Sequence, residues 1–190
     1  MSNKLKSGDA LIVVDVQNDF CEGGDLEIKD SNEIIPVLNE LMREAAEVGV
    51  PIYVSRCWHP KGHISFKAQG GKWEEHCLQD SSGAKFHPDL EIPEQAVIVS
   101  KGTRFDQDQS SAFDETGLAQ ELRRRDVKRV LIGGLAEDIC VASTALDGRN
   151  EDFKVVLLTD ATRPTDLERC ERAHSTMEIA GVEFESSSDL

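Results

Sequence analysis

A chain of 190 residues is long enough for one domain with a sizeable core, and its composition is that of an ordinary soluble globular protein. A formal net charge of -15 repels phosphate backbones, so nucleic acid is not an expected partner. No apolar run approaches a membrane span, and residues 1–6 lack the apolar stretch of a secretion signal, so the expected location is the cytoplasm, away from membranes.

Residues 10–15, Ala-Leu-Ile-Val-Val-Asp, form a continuous apolar, β-branched run that ends in an acid. Such a run predicts a strand buried on both faces, as in a parallel sheet. Ser31-Asn32-Glu33 opens a helix carrying Ile34, Ile35, Leu38, Leu41, Met42 and Ala45 at helical spacing, and Gly49 closes it. Residues 50–55 read as a second strand. Residues 57–89 then show little periodicity, and a loop this long in a compact domain is usually functional. A third strand at 96–100 is followed by Lys101 and another irregular stretch to Phe113. A short helix spans 117–125, a fourth strand 129–132, and a helix runs from Val141 to about Arg149. The fifth strand covers 153–159, a helix covers 167–180, a last edge strand lies at 182–185, and the polar tail 186–190 is expected to be loose. Strands alternating with helices predict an α/β fold: three layers, with a mainly parallel central sheet flanked by helices.

In such sheets ligands bind beyond the carboxyl ends of the strands. Asp15, Cys57, Lys101 and Cys140 all fall at such ends. Cys140 lies on a strand-to-helix turn, where free N–H groups and the helix dipole favour a thiolate and can hold an oxyanion. Asp15 can accept the thiol proton and return it to a leaving group, and Lys101 can stabilise both anions by charge. Taken singly, each has a plainer reading: a core cysteine, a loop cap, a solvated strand-end charge. The coincidence at one end of one sheet favours an active site. Cys57 and His59, two apart on a strand, face the same side. With His76 from the loop they make a donor set suited to zinc that leaves positions open; the alternative is that scattered loop histidines bind nothing. Five cysteines, an odd number and widely spread, do not form a disulfide framework. Cys21, Cys77 and Cys170 read as outside the chemistry, and His87 and His174 as surface residues.

Five motifs occur in order: Leu11-Ile12-Val13-Val14-Asp15-Val16-Gln17-Asn18-Asp19-Phe20; Cys57-Trp58-His59-Pro60 with His63-Ile64-Ser65-Phe66; Gly71-Lys72-Trp73-Glu74-Glu75-His76-Cys77; Val99-Ser100-Lys101-Gly102; and Gly134-Leu135-Ala136-Glu137-Asp138-Ile139-Cys140-Val141. In these the chain, from about Ala10 to Phe184, resembles the nicotinamidase/pyrazinamidase group of the isochorismatase-like cysteine hydrolases. The resemblance implies that residues 1–190 are one such hydrolase domain, cleaving nicotinamide to nicotinate and ammonia, acting on pyrazinamide too, and feeding pyridine nucleotide salvage. It implies a triad of Asp15, Lys101 and Cys140. It also implies a cis peptide at Leu135–Ala136 that turns the Ala136 N–H with that of Cys140 into an oxyanion hole, Phe20 and Trp73 sandwiching the substrate ring, and one divalent metal, zinc, on Cys57, His59 and His76. His63 matches a ligand used only in some members. The chain departs from the family at Cys57, where Asp is usual, and at Ile139, where many relatives carry an aromatic or polar residue. A thiolate ligand would make the site softer and more zinc-selective, or the metal site is lost. The alternatives are a related hydrolase of another small amide, carbamoyl or ureido, and a non-catalytic binding module. Small α/β enzymes often form symmetric oligomers, so a homo-oligomer is an open expectation.

Overall fold

The computed structural model describes residues 5–190; Met1 to Lys4, part of the stretch read above for a secretion signal, lie outside the described residues. The strands are β1 (Asp9–Val14), β2 (Ile52–Cys57), β3 (Val97–Lys101), β4 (Arg129–Leu135), β5 (Lys154–Arg163) and β6 (Glu183–Glu185). They form one sheet in the order β3-β2-β1-β4-β5-β6, and every pairing is parallel. The helices are α1 (Ile35–Val48), α2 (Leu118–Arg124), α3 (Ala142–Asn150) and α4 (Leu167–Ile179).

The two-residue period of a strand divides the core between the faces. Leu11, Val13, Ile52, Val54, Leu131 and Val156 pack with Leu38, Leu41, Met42 and Ala45 of α1. Ala10, Ile12, Val14, Val130, Ile132 and Leu157 pack on the other face with Leu122 of α2, Ala145 of α3 and Met177 of α4. That is the expected three-layer sandwich. Each fully buried Leu, Ile or Val contributes about 1.5–3 kcal/mol of transfer free energy. The apolar runs of β1 and β4 therefore belong at the centre, and β3, whose Val97 and Ile98 are exposed, belongs at an edge.

Chain order moves outward from β1 in one direction and from β4 in the other. The sheet thus changes direction between these two central strands, and a crevice opens at their carboxyl ends. Gly134 makes the close approach possible there. Its φ is 117°, and a Cβ would lie 2.1 Å from the Val14 carbonyl oxygen.

Three expectations need correction. The segment opening at Ser31 begins as a 3-10 turn, Ser31–Ile34, and becomes α-helical at Ile35; Pro36, which has no N–H to donate, occupies the first turn of α1. β5 does not end at Thr159 but continues to Arg163, because Thr162 and Arg163 pair with Gly134 and Leu135 past a register shift in which Leu158 to Ala161 bulge opposite Gly133. The tail is not loose: Ser187 donates from its N–H and Oγ to Asp160 at 2.8 and 2.5 Å, and Leu190 packs against the α1-side core.

Candidate active site

β1 delivers Asp15, β2 delivers Ser55 and Cys57, and β3 delivers Lys101, all fully or nearly fully buried. Asp15 follows β1 at φ 48°, a left-handed conformation that Asp tolerates better than most residues and that turns its carboxyl under the crevice. Lys101 Nζ lies 2.6 Å from Asp15 Oδ2, and Ser55 Oγ donates to Asp15 Oδ1 at 2.7 Å. A single π-helical turn, Glu137–Val141, links β4 to α3 and carries Cys140; such turns often mark functional sites. Lys101 Nζ reaches Cys140 Sγ at 3.6 Å and Cys57 Sγ at 3.1 Å. Cys140 is the one cysteine of the five that is not buried, and it faces a cavity of about 380 Å³.

Electrostatics assigns the resting protonation states. Burial raises the Asp15 carboxyl to about 6, Cys57 adds to that, and Lys101 and Ser55 oppose it. Asp15 is therefore ionised at neutral pH and still basic enough to take a proton. Burial alone would neutralise Lys101, but Asp15 and the two thiols hold it well above the ordinary lysine range. The thiols of Cys57 and Cys140 share the remaining negative charge. Cys57, hydrogen-bonded by Cys140 and close to Lys101, is held low; Cys140, donating to Cys57 and with its sulfur largely desolvated, is pushed up. Within this pair Cys57 stands closer to the Lys101 ammonium, and Asp15 lies in the same close donor cluster as Cys140, where it can take the thiol proton.

The imidazoles lie at one side of the same cavity. His59 Nδ1 faces the Gly102 carbonyl at 2.9 Å and His76 Nδ1 faces the Glu74 carbonyl at 2.8 Å, with the rings 4.9 Å apart and nearly edge-on. A carbonyl on Nδ1 fixes the tautomer and leaves Nε2 as a lone-pair donor, which is how metal-binding histidines are usually held. Burial keeps His76 neutral, as a ligand must be. These two side chains fit a divalent cation. Cys57 fits less simply. Its thiol is 3.5 Å from Asp15 Oδ2 as well as 3.1 Å from Lys101, and the close donor set containing it is Asp15, Cys57 and Cys140, not Cys57, His59 and His76. His63 has both ring nitrogens engaged, by Ser65 Oγ at 2.7 Å and the Gln107 carbonyl at 2.9 Å, and stacks on His59 instead of offering a lone pair.

Phe20, Trp73, Ala136 and Ile139 line the cavity, and the Leu135–Ala136 peptide is cis. The irregular stretch after β2 wraps this wall and is pinned by bridges of His59 to Leu78 and Phe66 to Trp73. Sequence reasoning missed Ser55, although its place two residues before Cys57 on one strand was a usable signal. It also missed Leu26 and Ile28, which line the cavity, and Gln109, whose Oε1 accepts from the Gly102 N–H at 2.9 Å; no periodicity marks those loops. His174 is no plain surface residue, since it pairs with buried Glu137 at 2.6 Å, and Cys170 lies beside it.

An isochorismatase domain model matches residues 9–189. A nicotinamidase of Escherichia coli (strain K12) is 33% identical over 91% of this chain and 91% of that protein. Among solved structures, a pyrazinamidase of Pyrococcus horikoshii in complex with zinc is 44% identical with a TM-score of 0.91, over 94% of this chain and 99% of that one. PnC1 from L. infantum in complex with nicotinate is 34% identical with a TM-score of 0.89, over 96% and 94%.

Proposed function

Since the chain belongs to the isochorismatase domain family, we propose that it is an amidohydrolase that converts nicotinamide to nicotinate and ammonia, and that it also accepts pyrazinamide. The observation that carries this reading is the meeting of a buried carboxylate and ammonium with a thiol that lines a cavity, where two preoriented imidazoles line it too.

In this reading Phe20 and Trp73 hold the pyridine ring between them, and an apolar cavity of about 380 Å³ suits a ligand of that size. His59 and His76, with Cys57 as a third donor, would hold a divalent ion, zinc by the softness of the set, which supplies an anchor for the ring nitrogen. Asp15 takes the proton of Cys140, and the new thiolate attacks the amide carbon. Lys101 balances the charge as it moves from carboxylate to sulfur. The N–H groups of Ala136 and Cys140 receive the developing oxyanion; loss of one such donor typically costs about 10²–10³ in rate. Asp15 passes its proton to the departing ammonia, takes one from the water that attacks the thioester, and returns it to the Cys140 sulfur as the C–S bond breaks; the acid formed leaves as nicotinate.

The test is ammonia release from nicotinamide, pyrazinamide and a set of ureido compounds, by protein stripped with chelator and then restored with zinc. Zinc-dependent release from the two ring amides is the expected result. Release from the ureido compounds alone, by folded zinc-restored protein, would overturn the substrate assignment.

A further inference from the structure

Away from the cavity, α4 carries Cys170 and His174 four residues apart, so both side chains lie on one helix face. That face packs against the π-helical turn, which contributes Glu137. We propose that Glu137, Cys170 and His174 form a second divalent-cation site, suited to a borderline-soft ion such as zinc, which fastens α4 to the turn that carries Cys140. No residue of this trio lines the catalytic cavity, so the site stands apart from the proposed reaction.

The geometry distinguishes ligand convergence from a proton relay. In a relay the thiol and the carboxylate engage opposite ring nitrogens of the histidine. Here both approach the same one: Glu137 Oε1 is 2.6 Å from His174 Nε2, and Cys170 Sγ is 3.5 Å from it. All three donor atoms lie within 4.8 Å of one another. Zinc bonds of about 2.0–2.3 Å in a tetrahedron place ligand atoms about 3.3–3.6 Å apart. The sulfur-to-nitrogen edge already has that length, and the carboxylate-to-nitrogen edge must open by only about 0.7 Å. The His174 ring is held against Phe184 at 4.8 Å, which limits its freedom before any ion arrives. Its partial exposure leaves a fourth position open to water.

Charge points the same way. The carboxyl groups of Glu137 and Asp138 both stand close to Cys170, and a cation at this spot would meet their negative field. Arg169, 3.6 Å from Asp138, offsets part of that field.

The test counts zinc retained per chain after equilibration with a weak competing chelator. Cys170→Ala and His174→Gln should each hold one equivalent fewer than wild type, and should lose the part of the zinc-induced rise in melting midpoint that this site supplies. The count is a difference, so it does not depend on whether the cavity also binds zinc. Wild type against variant reads two against one if it does, and one against none if it does not. Cobalt loading gives a second readout: the thiolate-to-cobalt absorption should survive Cys57→Ser and weaken in Cys170→Ala. If Cys170→Ala fails to fold, the half-exposed His174→Gln decides the matter. Equal zinc in folded variants and wild type would overturn the proposal.

Discussion

Replacing Ser55 with alanine tests the Asp15 base without touching substrate. Ser55 is fully buried and gives Asp15 Oδ1 its 2.7 Å hydrogen bond, while Lys101 holds Oδ2 at 2.6 Å. Alanine removes the donor and leaves a buried carboxylate oxygen without it. A hydrogen bond to a charged group is worth about 1.5–3 kcal/mol. At about 1.4 kcal/mol per tenfold, the ionised form of Asp15 should become about 10- to 100-fold harder to reach. The carboxyl, at about 6 in the intact protein, should move to about 7–8 in the variant. In the proposed mechanism ionised Asp15 is the active form, so kcat/KM should fall on the acid side as Asp15 protonates. Its acid limb should shift up by about 1–2 pH units, leaving the variant about 5- to 50-fold slower at pH 6 and nearly normal above pH 9. The stability sign follows from the same raised carboxyl. Folded Asp15 binds its proton more tightly than the unfolded chain does, so this residue's contribution to stability declines as pH rises from about 4 to about 6, and in the variant to about 8. The assay is the pH profile of ammonia release by both proteins. Superimposable profiles would refute the assignment of Asp15 as the titrating base.

A Cβ at Gly102, where φ is 62°, would lie 2.4 Å from the His59 ring, so Gly102→Ala should displace that imidazole and weaken metal retention at the cavity; zinc affinity equal to wild type would remove His59 from the site. Gly134→Ala forces a methyl into the Val14 backbone at 2.1 Å and should leave little folded protein, as circular dichroism would show; a native-like melt would contradict the central close approach of β4 to β1. Trp73→Ala should raise KM for nicotinamide about 2- to 12-fold with kcat held, the effect of losing about 0.5–1.5 kcal/mol of ring stacking; a fall in kcat at constant KM would mean that Trp73 acts on the chemistry instead.

The parts of this fold that the sequence announces are those written in local pattern. β1, β4 and α1 carry periodic apolar residues, and their burial follows from that period alone. The strand-end residues Asp15, Cys57, Lys101 and Cys140 are legible for the same reason: a parallel sheet delivers its carboxyl ends to one crevice. What local pattern does not contain is which partner each of those groups meets. Cys57 looks like a metal donor from its spacing to His59. Its sulfur also meets Lys101 at 3.1 Å and Asp15 at 3.5 Å, two partners that the spacing does not reveal. The continuation of β5 to Arg163 depends on its pairing with the end of β4 beyond the register shift, and the docking of the tail depends on Asp160; both are long-range contacts with no local signature. Cys170 and His174 are four apart on a helix, a readable sign, but the carboxylate that completes their cluster comes from a turn thirty-odd residues earlier.

The reading rests finally on Cys140 as the nucleophile. The direct measurement is nicotinamide hydrolysis by zinc-loaded wild type and Cys140→Ala side by side, with both shown to be folded. The account predicts ammonia release by wild type and a loss of about 10⁴-fold or more in the variant, the scale on which removal of an activated nucleophile acts. Comparable rates in the two proteins would contradict it.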